Sequence, residues 1–312
     1  MDWQEQERRH AERIYGKPVE IQSAAGQARI REKHRKCMAA LNQYPTIRKH
    51  VHDNEWAEDF LQRILSQRGE ITKLNIDPGY PDLYLAPGLE ECRLLRRGFM
   101  SKMESGLEFL RREAPRRNWK DLVGNLRKGN SVPATFEILL ACALVSAFGE
   151  EHVQAYPRVS DGSAKNVEFA TVISGKRLLF EATMLVDSRS DSMTTEFCIA
   201  NRLPFPIRFV PPREGVDRFV RKCQEKALER DLRDPLVLCI NQVSRFPGPE
   251  DGSQGVRRLV GWASSTTGCM MVAIAHFWRD CLQRVVRIPE TTRRLNVQPE
   301  VLAEVERAMK LL

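Results

Sequence analysis

No run of 18 or more apolar residues occurs in this chain, so no segment reads as a membrane-spanning helix. Residues 1–10 contain no apolar h-region, so no secretory leader is expected. Cysteine is thinly spread: eight residues stand singly at 37, 92, 142, 198, 223, 239, 269 and 281, with no CxxC pair. That spacing excludes a zinc knuckle and argues against a disulfide framework. Several of these cysteines (Cys142, Cys239, Cys269) lie inside apolar runs and are expected to be reduced, buried thiols in a cytoplasmic protein. Histidine is scarce too, at six residues. His50 and His52 form an HxH pair, but no third or fourth ligand is spaced nearby, so they read as a polar loop rather than a metal site. No internal repeat and no low-complexity tract is found, which excludes a solenoid.

What the chain does have is size, apolar content and basic charge. Its 312 residues with 42% hydrophobic content can fill one large core or two smaller ones. The net charge is +8, and its distribution is uneven. Between Arg93 and Asn130 stand eleven Lys/Arg against four acids (Glu104, Glu108, Glu113, Asp121), a local excess of +7. A basic block of this density suits a polyanion, although runs of charge are also ordinary solvated helix faces. Arg96, Arg97, Arg111, Arg112, Arg116, Arg117 and Lys120 are its candidate phosphate contacts.

Residues 1–73 read as helical, with helices expected at Gln4–Tyr15, Gln27–Asn42 and Asn54–Ser66. Asn54 is the expected cap of the third, which carries Trp56, Phe60, Leu61, Ile64 and Leu65 on one face. Residues 74–90 hold three prolines and two glycines and read as a connection. With the two basic helices that follow, broken at Ala114-Pro115, they make a second region over 74–129. From residue 130 the pattern changes to α/β. A nearly all-apolar helix from Ser131 to Phe148 carries one charge in its body, Glu137, whose plain role would be to offset the dipole at the helix start. A short strand over 152–159 and a hairpin over 164–184 follow, turning at Ser174-Gly175-Lys176. Glu168 reads as mid-strand in the first arm and Glu181 ends the apolar run Leu178-Leu179-Phe180 of the second. An amphipathic helix over 217–230 leads to buried strands over 235–242 and 268–276, with a further strand at 286–289 and a terminal helix over 299–312.

A carboxylate beside a strand that wants burial costs free energy unless compensated, and a divalent cation is a common compensator. The order of a buried helix with an acid, then a strand, then an acid-bearing hairpin, then a helix and a further strand resembles the core of the PD-(D/E)XK, or restriction-endonuclease-like, nuclease superfamily. The resemblance covers roughly the last 180 residues. It implies an α/β (α+β) domain over 130–312, with a central mixed sheet flanked by helices. It also implies a Mg²⁺ or Mn²⁺ site made by Glu137, Glu168 and Glu181, and hydrolysis of phosphodiester bonds in nucleic acid, DNA being expected. Two positions depart from the pattern. Asn166 stands where the family has its first-strand Asp, with Glu168 two residues on and Asp161 nearby. Thr183 stands where the family has its Lys, and Lys226 or Lys222 on the next helix is the expected replacement. Those departures also fit a second reading: a catalytically degenerate nuclease fold acting as a nucleic-acid-binding or assembly module. In a third, the N-terminal helices form a protein-interaction surface that takes a partner or a second copy of the chain. No membrane partner is expected.

Overall fold

The computed structural model describes residues 19–66, 68, 70–71, 99–127, 131–158, 166–185, 221, 234–242, 268–276 and 281–312. The chain divides into two compact units, one of residues up to 108 with 116–135, the other of 109–115 with 136–312. The expected helices at 4–15 and 217–230 fall outside the described residues, apart from Arg221, which is helical.

In the first unit, β1 (Val19–Glu20) pairs antiparallel with β2 (Glu70–Ile71), a ladder too short to leave a period in the sequence. Between them run α1 (Ala24–Leu41), a π-helical segment (Ile47–Val51) and α2 (Asn54–Ser66). α1 starts hard against β1: a Cβ on Gly26 would lie 1.9 Å from the carbonyl oxygen of Glu20, so only glycine fits there. The expected apolar face of α2 is buried. Trp56, Ala57, Phe60, Leu61, Ile64 and Leu65 pack with Ile21 and Ile30 into one cluster, each large side chain worth about 1.5–3 kcal/mol of burial. The cap of α2 is Asp53, not Asn54: its Oδ1 accepts the amide of Trp56 at 2.9 Å. His52 is not in a polar loop either. It is fully buried, with its ring 4.5 Å from that of Trp56, and burial together with Arg127 and Arg48 pulls its pKa down to about 3.

α3 (Phe99–Glu113) and α4 (Arg116–Arg127) carry the basic block and break at Ala114-Pro115 as expected. Two charged residues of the block serve the fold instead of the surface. Glu104 accepts the amides of Thr46 and Ile47 at 2.6 and 2.9 Å, capping the π-helical segment. Arg127 donates to the carbonyls of Val51 and His50, both at 3.0 Å, and pairs with Asp53.

The second unit is built on a six-stranded mixed sheet, with the strands in chain order. β3 (Val153–Ala155), β4 (Phe169–Ile173) and β5 (Lys176–Leu185) form an antiparallel meander, with Val153 opposite Thr171 and Phe169 opposite Phe180. β6 (Leu236–Gln242) lies parallel to β5, with Glu181 level with Leu238, and β7 (Cys269–His276) lies parallel to β6. β8 (Cys281–Arg287) closes the order antiparallel to β7, earlier and longer than the strand expected at 286–289. Leu236–Ile240 and Cys269–Ile274 are buried on both faces, which is why these strands read as unbroken apolar runs. The β4–β5 turn is tighter than expected: Ile173 pairs with Lys176, and Ser174 (φ 50°) and Gly175 (φ 73°) are both left-handed, as a two-residue type I′ turn requires.

Helices flank the sheet. α5 (Ser131–Phe148) is buried without a break from Ile138 to Leu144. α6 (Pro289–Arg294) was not anticipated from the sequence; α7 (Pro299–Met309) was. α7 buries Val301, Leu302, Val305, Ala308 and Met309, and Met309 Sδ meets Cys239 Sγ of β6 at 3.6 Å. Cys142, Cys239 and Cys269 are buried and form no disulfide, and burial pushes the Cys269 thiol up to about 12 and raises that of Cys239 as well, which leaves both inert. Among the described residues no helix is long and apolar enough to cross a membrane.

Candidate active site

Three acids of the second unit come together where α5, the head of β4 and the middle of β5 meet. Each is carried by a different element, and each element has its own reason to be there. α5 is apolar on nearly all sides, so Glu137 on it is held half-buried against the core. Its carboxyl is pushed up to about 7 by burial and by the charge of Glu181, against a hydrogen bond donated by Tyr156 Oη that favours the ionised form. The first turn of α5 holds no acid, so offsetting the helix dipole is not what Glu137 is placed for.

Glu181 is fully buried on β5, immediately after Phe180. Glu168 is not mid-strand. It lies in a bend just before β4, and β4 itself is buried on both faces at Phe169, Ala170 and Thr171. The bend turns the Glu168 side chain back onto β5. Beyond the last rung of the ladder, Phe169 opposite Phe180, the amide of Ala182 donates to Glu168 Oε2 at 3.0 Å. The carboxyl groups of Glu168 and Glu181 also share a hydrogen bond. Burial first, then the charge and hydrogen bond of Glu181 and the charge of Glu137, raise the Glu168 carboxyl well above the usual range. Every charged group among the described residues that perturbs Glu168 is itself an acid.

Chemically this is an all-oxygen donor set of high negative potential. Such a set suits a hard divalent cation of the Mg²⁺ or Mn²⁺ type, not a thiolate- or imidazole-seeking metal. Among the described residues, however, no three His, Cys, Asp or Glu side chains stand grouped as a ready-made metal cage. Glu168 and Glu181 are joined to each other, and Glu137 accepts a hydrogen bond from Tyr156. The donor types fit a divalent cation; the arrangement described is the proton-sharing one.

Of the other expected site residues, Asn166 is exposed and forms an isolated bridge with Arg158. Thr183, at the lysine position of the motif, is buried at 8% exposure, level with Ile240 of β6. Arg177, a possible counter-ion for Glu181, bonds Asp234 at 2.9 Å and the carbonyl of Arg158 at 2.7 Å. Lys222, Lys226, Asp161, Arg96 and Arg97 lie outside the described residues. Arg111, Arg112, Arg116, Arg117 and Lys120 are exposed. Arg112 pairs with Glu150 at 2.8 Å, and Arg117 stands 3.9 Å from Asp121.

Tyr156 is the residue that sequence reasoning missed. It carries a left-handed backbone (φ 51°), uncommon for a bulky non-glycine residue. Its amide donates to the carbonyl of Glu168 at 2.7 Å, and its ring packs 6.4 Å from that of Phe169. The only local sign was a tyrosine followed by Pro157 at the end of a short strand, which does not announce a tertiary hydrogen bond to a helix. Set beside family models, curated proteins and solved structures, the chain matches none.

Proposed function

We propose that this protein is a divalent-metal-dependent nuclease that hydrolyses phosphodiester bonds in nucleic acid, DNA in the first instance, with a restriction-endonuclease-like core in residues 130–312. The observation that carries the reading is the meeting of Glu137, Glu168 and Glu181, from three different elements, around the half-buried Glu168 and the fully buried Glu181. Holding acids together in a dry place is costly, and it is characteristic of sites where a reaction or a cation needs them. The topology supports the same reading: a helix with an acid, a three-stranded antiparallel meander, then a strand added parallel to its last member.

Glu137, Glu168 and Glu181 are the residues that would hold Mg²⁺ or Mn²⁺. Such an ion, when bound, neutralises phosphate charge and lowers the pKa of a coordinated water. The chain's own contribution is to hold the carboxylates. Glu181 is fixed by burial in β5, Glu168 by the amide of Ala182, and Glu137 by the rigid, buried α5. Thr183 brings no charge, so the steadying cation of the reaction falls to Lys226, or to Lys222, on the segment between β5 and β6. Arg96, Arg97, Arg111, Arg112, Arg116, Arg117 and Lys120 would hold backbone phosphates, giving salt-dependent affinity without sequence choice.

One observation favours a second reading. Thr183 is buried and uncharged where the motif calls for a lysine, which suits a fold that binds nucleic acid, or assembles on it, without cutting. Incubation with labelled single- and double-stranded DNA and RNA, with Mg²⁺ or Mn²⁺, separates the two. Metal-dependent cleavage by the wild type that disappears in Glu181→Ala supports the nuclease. Retained binding with no cleavage by either protein supports the second reading. Neither binding nor cleavage overturns both.

A further inference from the structure

We infer that Tyr156 is a positioning residue that aims the Glu137 carboxyl at Glu168 and Glu181, a role that rests on the nuclease reading for its purpose but not for its geometry. Three contacts converge on this one side chain and its backbone. The hydroxyl donates to Glu137 Oε1 on α5. The amide donates to the carbonyl of Glu168 at 2.7 Å. The ring stands 6.4 Å from Phe169, the residue that follows Glu168 and pairs with Phe180, next to Glu181. Tyr156 therefore touches a helix acid through its side chain and a hairpin acid through its main chain, and it joins the two elements that bring those acids in.

The backbone says the same. Tyr156 ends the β3 edge of the meander in a left-handed conformation, at φ 51°. A bulky residue pays for that conformation, and such positions persist where the surroundings over-determine them. Two of the surrounding constraints are visible, the Glu168 carbonyl on one side and the Glu137 carboxyl on the other. An extended Tyr156 would continue β3; the left-handed one turns the chain into Pro157 while keeping its amide on Glu168.

A hydroxyl on one oxygen of Glu137 also limits how that carboxyl can act. Oε1 accepts from Tyr156, which takes one of its lone pairs and leaves those of Oε2 uncommitted by this bond. Partners of this kind, which orient a ligand without touching the reacting atoms, typically matter 10–100-fold for metal affinity.

The test uses the full-length chain and Tyr156→Phe, which keeps the ring and loses only the hydroxyl, with Tyr156→Ala as the larger change. Two readouts are taken. The first is the titration of the Glu137 carboxyl by ¹³C NMR in metal-free protein, assigned with Glu137→Gln. Loss of the hydroxyl bond should move that titration to higher pH in Tyr156→Phe, at an unchanged unfolding midpoint. An unmoved titration overturns the inference, whatever the metal result. The second is Mn²⁺ binding by calorimetry, expected to weaken roughly 10-fold or more in Tyr156→Phe. If the wild type binds Mn²⁺ and Tyr156→Phe binds it equally well, the inference is overturned. A moved titration in a protein whose wild type takes up no Mn²⁺ upholds the positioning role and sinks the metal reading instead.

Discussion

Replacing Glu137 by Gln should stabilise the protein in the absence of metal, and the gain should depend on pH. The Glu137 carboxyl titrates at about 7 in the folded chain against an ordinary value of 4.5. Between those two values the folded protein holds a proton that the unfolded chain has lost. Stability therefore falls as pH rises through the window, and the whole penalty is present above pH 7. The window is worth about 3 kcal/mol. Because the side chain is only partly buried by its accessible surface, solvent screening makes a net gain of about 1–3 kcal/mol at pH 8 the reasonable expectation. Gln keeps an oxygen to accept from Tyr156 and has no charge to repel Glu181, so the variant should lose the slope while keeping the contact. Urea unfolding followed by circular dichroism, in EDTA, from pH 4.5 to 8, reads this directly. The wild type should lose stability with rising pH relative to Glu137→Gln, and the two should converge near pH 4.5. A variant equally or more fragile at pH 8, or a difference that does not change with pH, would refute the account of a charge held against its own preference.

Other consequences can be measured on the same footing. His52 is held neutral down to about pH 3 against an ordinary 6.5, so the first unit should be at full stability above pH 6.5 and should lose about 2 kcal/mol by pH 5. Tryptophan fluorescence, with Trp56 against the His52 ring, reports it, and a His52→Phe variant that kept the same acid slope would contradict it. Arg127→Ala should cost about 2 kcal/mol or more, since it strips donors from Asp53 and from the carbonyls of His50 and Val51. The pair Arg116→Ala and Lys120→Ala should leave the unfolding midpoint within about 0.5 kcal/mol. The same pair should flatten the salt dependence of nucleic-acid binding by up to about two in slope. An unchanged slope would remove these residues from the phosphate contacts.

How much of this was legible in the sequence depends on the range over which each feature is decided. The buried strands at Leu236–Gln242 and Cys269–His276 and the apolar α5 announced themselves, because burial on all sides leaves an unbroken apolar run. Glu137 and Glu181 stood out for the same reason, as single charges in apolar surroundings. Glu168 was found but misplaced: its alternation with Val167 and Phe169 suggests a continuous strand, while the chain bends at Glu168 to send its carboxyl to Ala182. Asp53 and Asn54 are both good caps, and only the three-dimensional path decided for Asp53. His52 and Tyr156 were unreadable. One looks polar and is buried by the packing of Trp56; the other looks like an ordinary strand residue and is fixed by partners 19 and 12 positions away in Glu137 and Glu168. Features set by neighbours in sequence were visible, and features set by neighbours in space were not.

The central claim is that Glu137, Glu168 and Glu181 act as one divalent-cation site, and Mn²⁺ titration of the full-length protein tests it most directly. Calorimetry on the wild type and on Glu137→Gln, Glu168→Gln and Glu181→Gln should show uptake at one site in the wild type. Each single substitution should weaken that uptake at least about 10-fold, because each carboxylate contributes charge and oxygen to the same ion. A wild type that takes up no Mn²⁺ at millimolar concentration, or three variants that all bind it as tightly as the wild type, would contradict the account.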